Sequence, residues 1–245
     1  VKGKSMDVDQ HPHIGLSTLT YLLEGEIVHE DSVGTHQHIT PGSVNWMTAG
    51  KGVTHTERTP SSWRTEKTRT VHGYQIWVAL PKDLEDIDPS FHHVAADRLP
   101  SWKDKNATFR LVAGKGFGKE SPVPVFSDLF MVEITTEEDY SLKVNDHLEG
   151  EIGICIVSGE IEACEHHVKA GNMLVSKIEN QCDVKIKAGS HILLFGGKPF
   201  PEERHIFWNF EATSKEKIEA AKQMWRNKEF PKVDGDNTYV PLPGG

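Results

Sequence analysis

The stretch TYLLEGEIVHE (residues 20–30), followed by TPGSVNWM (40–47), decides the fold, because its pattern returns as ICIVSGEIEACE (154–165) followed by KAGNMLVS (169–176). Each copy holds an apolar strand, a Gly-Glu turn (Gly25-Glu26 and Gly159-Glu160), a return strand, and a second glycine turn (Gly42 and Gly171) leading into another strand. Apolar runs of this length, bounded by Gly, Pro, Asn or Asp and recurring at close spacing, read as the strands of a sandwich or barrel. Self-similarity on this scale means one structural unit used twice. The chain is therefore expected to be all-β, with two similar barrels in tandem.

Outward from the repeat, SVNWMTAG, HGYQIWVAL, LFMVEIT, MLVSKI and HILLFGG supply further strands. Residues 81–124 contain FHHVAADRLPSW and AGKGFG, polar and glycine-rich text that suits connecting strands and loops, and the boundary between barrels is set near residue 120. Helical periodicity is convincing in TSKEKIEAAKQMWRNKEF, where Thr213 and Glu216 form a capping-box pattern ahead of Ile218, Ala221, Met224 and Trp225. The closing FPKVDGDNTYVPLPGG is too rich in Pro and Gly to continue that helix and is expected to be an extended tail. The expected division is a first barrel over 1–120, a second over 121–210, and a helix with its tail over 211–245.

The 245 residues suit two ordinary domains. Lys and Arg total 27 against 36 Asp and Glu, a formal net charge of -9. That charge repels phosphate backbones, so direct nucleic-acid binding is not expected. The 3 cysteines (Cys155, Cys164, Cys182) form no CxxC pair. They indicate neither a disulfide framework nor a cysteine zinc site, and a reducing cytoplasm fits them. Cys155, in the apolar strand GICIV, reads as a buried, inert thiol. No apolar run approaches the roughly 20 residues of a membrane helix, and the start VKGKSMDVDQHPH lacks the apolar stretch of a signal peptide.

The repeat also gives the histidines a register. His11 and His13 stand 14 and 12 residues before Gly25, and an i, i+2 pair on a strand projects from one face. His55 and Glu57 repeat that spacing 13 and 15 residues after Gly42, so antiparallel pairing inside a small barrel would bring the two couples face to face. Imidazole with one carboxylate and no thiolate suits Fe, Mn, Ni, Cu or Zn, and four protein ligands on an octahedral ion leave two positions for water, substrate or dioxygen. A lone HxH is as readily two ordinary histidines. The second couple, and a glutamate that is costly to bury unpaired, favour the metal.

Other histidines fit this pattern less well. His36 and His38 of GTHQHITPG share a face but lie just ahead of the Gly42 turn and are placed on the outer surface. His92-His93 and His166-His167 are adjacent, so in a strand they point to opposite faces. The same register in the second copy gives Asn145 and His147 before Gly159, then Val184 and Ile186 after Gly171. Only His147 is a ligand type there, so the second barrel is expected to hold no metal and to be greasy inside.

HPHIGLSTLTYLLEGEI, DSVGTHQHITPGSVNWMTAGKGVTHTERTP, HGYQIWVALP, and RHIFWNFEATSKEKIEAAKQMW with FPKV resemble, over essentially the whole chain, the bacterial branch of the pirin family, bicupins of the cupin superfamily. The resemblance implies two jelly-roll cupin barrels with a C-terminal α-helix and extended tail. It also implies iron or another divalent metal held by the HPH pair and the closing HxE couple, here His11, His13, His55 and Glu57. Fe(2+) comes first, with Mn, Ni, Cu or Zn open. The family usually has several strands ahead of HPH, whereas ten residues precede His11, so the first barrel is expected to lack upstream strands. Animal-type members read Arg and Glu where this chain has Ile14 and Ser17, so their nuclear co-regulator role is not carried over.

Members of the family resemble quercetinases, which cleave the flavonol ring with dioxygen and release carbon monoxide. The activity implied here is that of a quercetin 2,3-dioxygenase, with Glu57 a catalytic group switching between ligand and general base. Trp46 and Met47 are candidate walls for the substrate pocket, with barrel core as the plainer reading. The implied partner is a small aromatic substrate such as a flavonol. Two other functions stay open: a metal- or redox-dependent module that binds a protein partner, and another cupin reaction on a small metabolite, since one fold hosts many chemistries.

Overall fold

The computed structural model describes residues 6–64, 69–145, 147–176 and 182–244, so Lys177 and Ile178 of the MLVSKI run lie outside the described residues. The chain divides into two compact units, Val1–Ala96 with Pro201–Gly245, and Asp97–Phe200.

The first unit opens with β1 (Val8–His13), β2 (Leu16–Glu24), β3 (Ile27–Asp31), β4 (His36–Ile39), β5 (Val44–Thr48), β6 (Val53–Arg58), β7 (His72–Ala79) and β8 (Ser90–Val94). They form two four-stranded sheets, ordered β1-β6-β3-β4 and β7-β2-β5-β8. β2 is buried from Leu16 through Leu22, with Ser17, Thr18 and Thr20 as enclosed as the apolar residues between them. The turn after it needs glycine: Gly25 has a φ of 87°, and a Cβ there would stand 2.3 Å from the Thr70 carbonyl oxygen.

The second unit contains β9 (Ser101–Asp104), β10 (Ala107–Gly116), β11 (Lys119–Glu120), β12 (Leu129–Thr136), β13 (Tyr140–Leu142), β14 (Glu151–Ser158), β15 (Glu160–Ala163), β16 (His166–Lys169), β17 (Met173–Ser176), β18 (Val184–Ile186) and β19 (His191–Gly197). One sheet runs β13-β18-β15-β16; the other runs β11-β10-β12-β19-β14-β17, with β9 also on β10. Strands β13 to β19 repeat the order of β1 to β7. The sheet β1-β6-β3-β4 corresponds to β13-β18-β15-β16, and β7-β2-β5 to β19-β14-β17. The sequence repeat is thus a repeat of topology, and the protein is a nearly all-β bicupin.

Two boundaries differ from the sequence reading. β9 and β10 pair with each other, and β10 with β12, so these strands belong to the second unit, which begins near residue 97 and not near 120. The C-terminal segment belongs to the first unit. It comprises β20 (His205–Phe207), β21 (Phe210–Ala212), helix α1 (Lys215–Arg226) and the tail. Ile14 bridges to Phe210, and the Val240 N–H donates to the Gln10 carbonyl at 2.9 Å, so the tail runs beside β1.

The N-cap of α1 is Ser214, one residue beyond the expected Thr213; its hydroxyl accepts from the Lys217 N–H at 3.4 Å and donates to Glu216 at 2.6 Å. Ile218, Ala221 and Trp225 are buried against Phe210 and Phe230. Met224 is 38% exposed because it lies about 120° around the helix from Ile218, off the buried stripe.

The cysteines also depart from expectation. Cys164 and Cys182 form a disulfide with a Cα–Cα distance of 5.6 Å, where their spacing had indicated none. Cys155, expected to be buried, is half-buried. Among the described residues no helix is long and apolar enough to cross a membrane.

Candidate metal centre

Three neighbouring strands build the site. β6 lies between β1 and β3, with His11 opposite His55 on one side and Asp31 opposite His55 on the other. Inward-facing residues of all three therefore meet around His55. His11, His13 and His55 are 7%, 0% and 1% exposed. Their rings lie 4.2 Å (His11 to His55), 5.0 Å (His13 to His55) and 5.3 Å (His11 to His13) apart. One nitrogen from each lies within 4.8 Å of the other two, a spacing that could hold a metal ion.

Hydrogen bonding prepares these nitrogens. The His11 Nδ1–H donates to the Asp9 carbonyl at 2.8 Å, leaving Nε2 with its lone pair. His13 Nε2 and His55 Nε2 face each other at 3.1 Å. Burial holds all three imidazoles below their ordinary 6.5, and His13 and His55 well below it, with repulsion among the rings adding to the effect. The neutral ring is the form that ligates. His13 Nδ1 is buried without a hydrogen-bond partner among the described residues. Neutral imidazoles pressed this close fit a divalent transition ion.

Glu57 follows His55 by two residues on β6 but stands outside this trio. Its Oε1 accepts from Gln75 Nε2 at 2.7 Å. Burial raises its carboxyl above the ordinary 4.5, opposed by His29 and by the Gln75 hydrogen bond. Gln75 Oε1 in turn accepts from Trp77 Nε1 at 3.3 Å, and the Trp77 ring stands edge-on to His13 at 5.3 Å while 41% exposed.

Trp46 and Met47 are both 1% exposed. The Trp46 indole donates to Thr48 Oγ1 at 3.1 Å, and Met47 packs with Ala49, Val53 and Phe91. The structure therefore places them in the packed interior, whereas the exposed aromatic beside the histidines is Trp77. Sequence reasoning passed over Trp77 because HGYQIWVAL read simply as a strand.

Sequence reasoning also missed His29 and Asp31. His29 Nδ1 lies 3.3 Å from His55 Nδ1, and His29 Nε2 lies 3.0 Å from Asp31 Oδ2. Their i, i+2 spacing in IVHED was the available signal. His36 and His38 are exposed as expected, with His36 3-dimensionally tied to Glu30 at 2.8 Å.

The second unit fills the same places with hydrocarbon. Val184 and Ile186 are 2% and 0% exposed and sit in one apolar cluster. Strand pairing corrects the other two equivalents. Leu142 lies opposite Val184 as His11 lies opposite His55, so Leu142 and Val144, not Asn145 and His147, match the HPH pair. His147 is exposed and stacks on Phe117 at 4.6 Å. A cavity of about 500 Å³ does open beside it, but two of its lysines are matched by acids, Lys198 by Asp128 at 3.0 Å and Lys115 by Glu120 at 3.3 Å, and the third, Lys119, lies over the Trp102 ring.

Two cupin barrels, the first with a buried three-histidine cluster that could hold a metal ion, define a bicupin. The chain belongs to the pirin family. The Pirin model matches residues 2–78, and the model of the Pirin C-terminal cupin domain matches residues 130–231. A pirin-like protein of Caulobacter vibrioides is 42% identical over 242 residues, covering 98% of this chain and 83% of the relative. The crystal structure of a quercetin 2,3-dioxygenase from Acinetobacter baumannii superposes with a TM-score of 0.87 at 33% identity, covering 99% of this chain and 80% of that one. A bacterial pirin of Escherichia coli in complex with nickel(II) shares the fold at a TM-score of 0.60 and 22% identity, covering 80% of this chain and 81% of that one.

Proposed function

We propose that this chain is a metal-dependent dioxygenase of the quercetinase type, which opens the ring of a flavonol with dioxygen and releases carbon monoxide. The observation that carries the reading is the convergence of His11, His13 and His55, all buried, beside the exposed ring of Trp77. The quercetin 2,3-dioxygenase of Acinetobacter baumannii, at 33% identity, supports the same substrate class.

The three histidines would hold the ion, Fe(2+) being the first expectation, with Glu57 as fourth ligand when it leaves Gln75. A bound divalent ion would supply Lewis acidity and open positions for substrate oxygen and dioxygen. The chain's own residues account for the remainder. Glu57, its carboxyl raised by burial, is suited to take the proton of the flavonol 3-hydroxyl. Gln75 holds that carboxylate in place at 2.7 Å. Trp77 offers a planar apolar face to a planar aromatic substrate.

The test is to measure metal content, then follow quercetin loss and carbon monoxide release with and without oxygen. Turnover that needs metal and oxygen and vanishes in His55→Ala supports the enzyme. A fully loaded protein inert across a flavonol panel overturns it in favour of a metal-dependent protein-binding module. Glu57→Gln is expected to lower kcat roughly 100- to 10,000-fold, the usual contribution of a positioned general base; unchanged kcat removes Glu57 from proton transfer.

A further inference from the structure

Asp31, His29 and His55 are 2%, 3% and 1% exposed and form one buried chain across β3 and β6. Its outer end is fixed by backbone: Asp31 Oδ1 accepts from the N–H groups of Val33 and Thr35, each at 3.0 Å. Asp31 Oδ2 faces His29 Nε2 at 3.0 Å, and His29 Nδ1 faces His55 Nδ1 at 3.3 Å. The His29 ring is held flat by stacking on Phe91, with centroids 4.6 Å apart.

The protons can be placed by counting donors and acceptors. A carboxylate only accepts, so His29 Nε2 carries the hydrogen in that contact. With its ring hydrogen on Nε2, His29 turns the Nδ1 lone pair toward His55, and the 3.3 Å contact then places the hydrogen on His55 Nδ1. His55 Nε2 is left with its lone pair, pointed at His13 Nε2 3.1 Å away.

We propose that His29 and Asp31 are positioning residues for the metal centre: they lock His55 in the Nδ1–H tautomer and aim its Nε2 lone pair at the ion. A metal-bound histidine commonly has its second nitrogen held in this way by a carboxylate or carbonyl. Here the carboxylate acts through a second imidazole, while the Asp9 carbonyl does the same for His11 directly. The second unit agrees from the other side. Paired to β18 as Asp31 and His29 are to β6 stand Ala163 and Ile161, so the unit with apolar residues at the ligand places also lacks the support. The proposal rests on the reading of His11, His13 and His55 as ligands.

The test uses the full chain, metal-free and labelled with 15N-histidine, with ring tautomers read by NMR and His55 assigned by its loss in His55→Ala. The expected result is a proton on His55 Nδ1 and on His29 Nε2. A proton on His55 Nε2 overturns the proposal. Zn2+ affinity, measured by competition with a chromophoric chelator, is expected to fall roughly 10- to 100-fold in His29→Phe, which keeps the ring on Phe91 but removes the acceptor. His29→Asn, whose amide oxygen stands near the lost Nδ1, is expected to recover most of that loss. Equal affinity in His29→Phe and the wild type also overturns the proposal. A wild-type chain that binds no Zn2+ overturns the ligand reading instead, and the spectrum of the metal-free protein tells the two failures apart. Should His29→Phe not fold, the wild-type spectrum alone decides.

Discussion

The two barrels share one strand order, yet six inward positions carry opposite chemistry. In the first unit they are His11, His13, His29, Asp31, His55 and Glu57; by strand pairing their counterparts are Leu142, Val144, Ile161, Ala163, Val184 and Ile186. All six of the latter belong to one apolar cluster. The difference teaches that these positions are not needed as polar groups by the fold, because the same topology forms with hydrocarbon there. Burying polar groups instead costs roughly 1–3 kcal/mol for each one left unsatisfied. In the first unit that cost is offset by mutual hydrogen bonds and, on the reading proposed above, by a metal.

The sharpest way to break the comparison is to put a charge where the second barrel has hydrocarbon. Ile186→Glu places a carboxylate among Leu142, Ile161 and Val184 with no imidazole to meet it, and is expected to destabilise that unit by about 3–5 kcal/mol in urea unfolding. A loss below about 1 kcal/mol would mean that the second barrel tolerates polar interiors and that its apolar set is incidental. Leu142→Ala, which only removes volume, is expected to cost about 2–5 kcal/mol and to leave metal content unchanged. A fall in metal content would tie the second barrel to the site.

Acidification gives a smaller, graded contrast. Because burial already lowers His11, His13 and His55 below 6.5, they are neutral at pH 7 and protons compete with metal only at lower pH. Metal affinity is therefore expected to be nearly flat from pH 8 to 7 and to fall only below about 6.5. Ordinary histidines would instead begin losing metal already between pH 7 and 6.5. A titration by chelator competition distinguishes these courses.

Much of this contrast was legible in the sequence. The Gly25 and Gly159 turns fixed equivalent hairpins, both glycines holding positive φ (87° and 78°), and strand alternation placed the HPH and HxE couples on inner faces. What was lost came from long-range pairing. Counting back from Gly159 to Asn145 and His147 assumed equal loops, but β1 and β2 are separated only by Ile14 and Gly15, whereas β13 and β14 are separated by residues 143–150. The boundary moved because β10 finds its partner in β12, which no local pattern announces. Asp31 and His29 were hidden because a single HxD within a strand has no second couple until β3 is known to lie against β6. Likewise Cys164 and Cys182, 18 residues apart, carry no motif that marks them as a pair.

The central claim is that one barrel is loaded through three histidines and the other is not. Elemental analysis of the purified chain tests it most directly, in the wild type, His13→Ala and His147→Ala. The account predicts one transition metal per chain in the wild type and in His147→Ala, and none in His13→Ala. Two metals per chain, or full occupancy in His13→Ala, would contradict it.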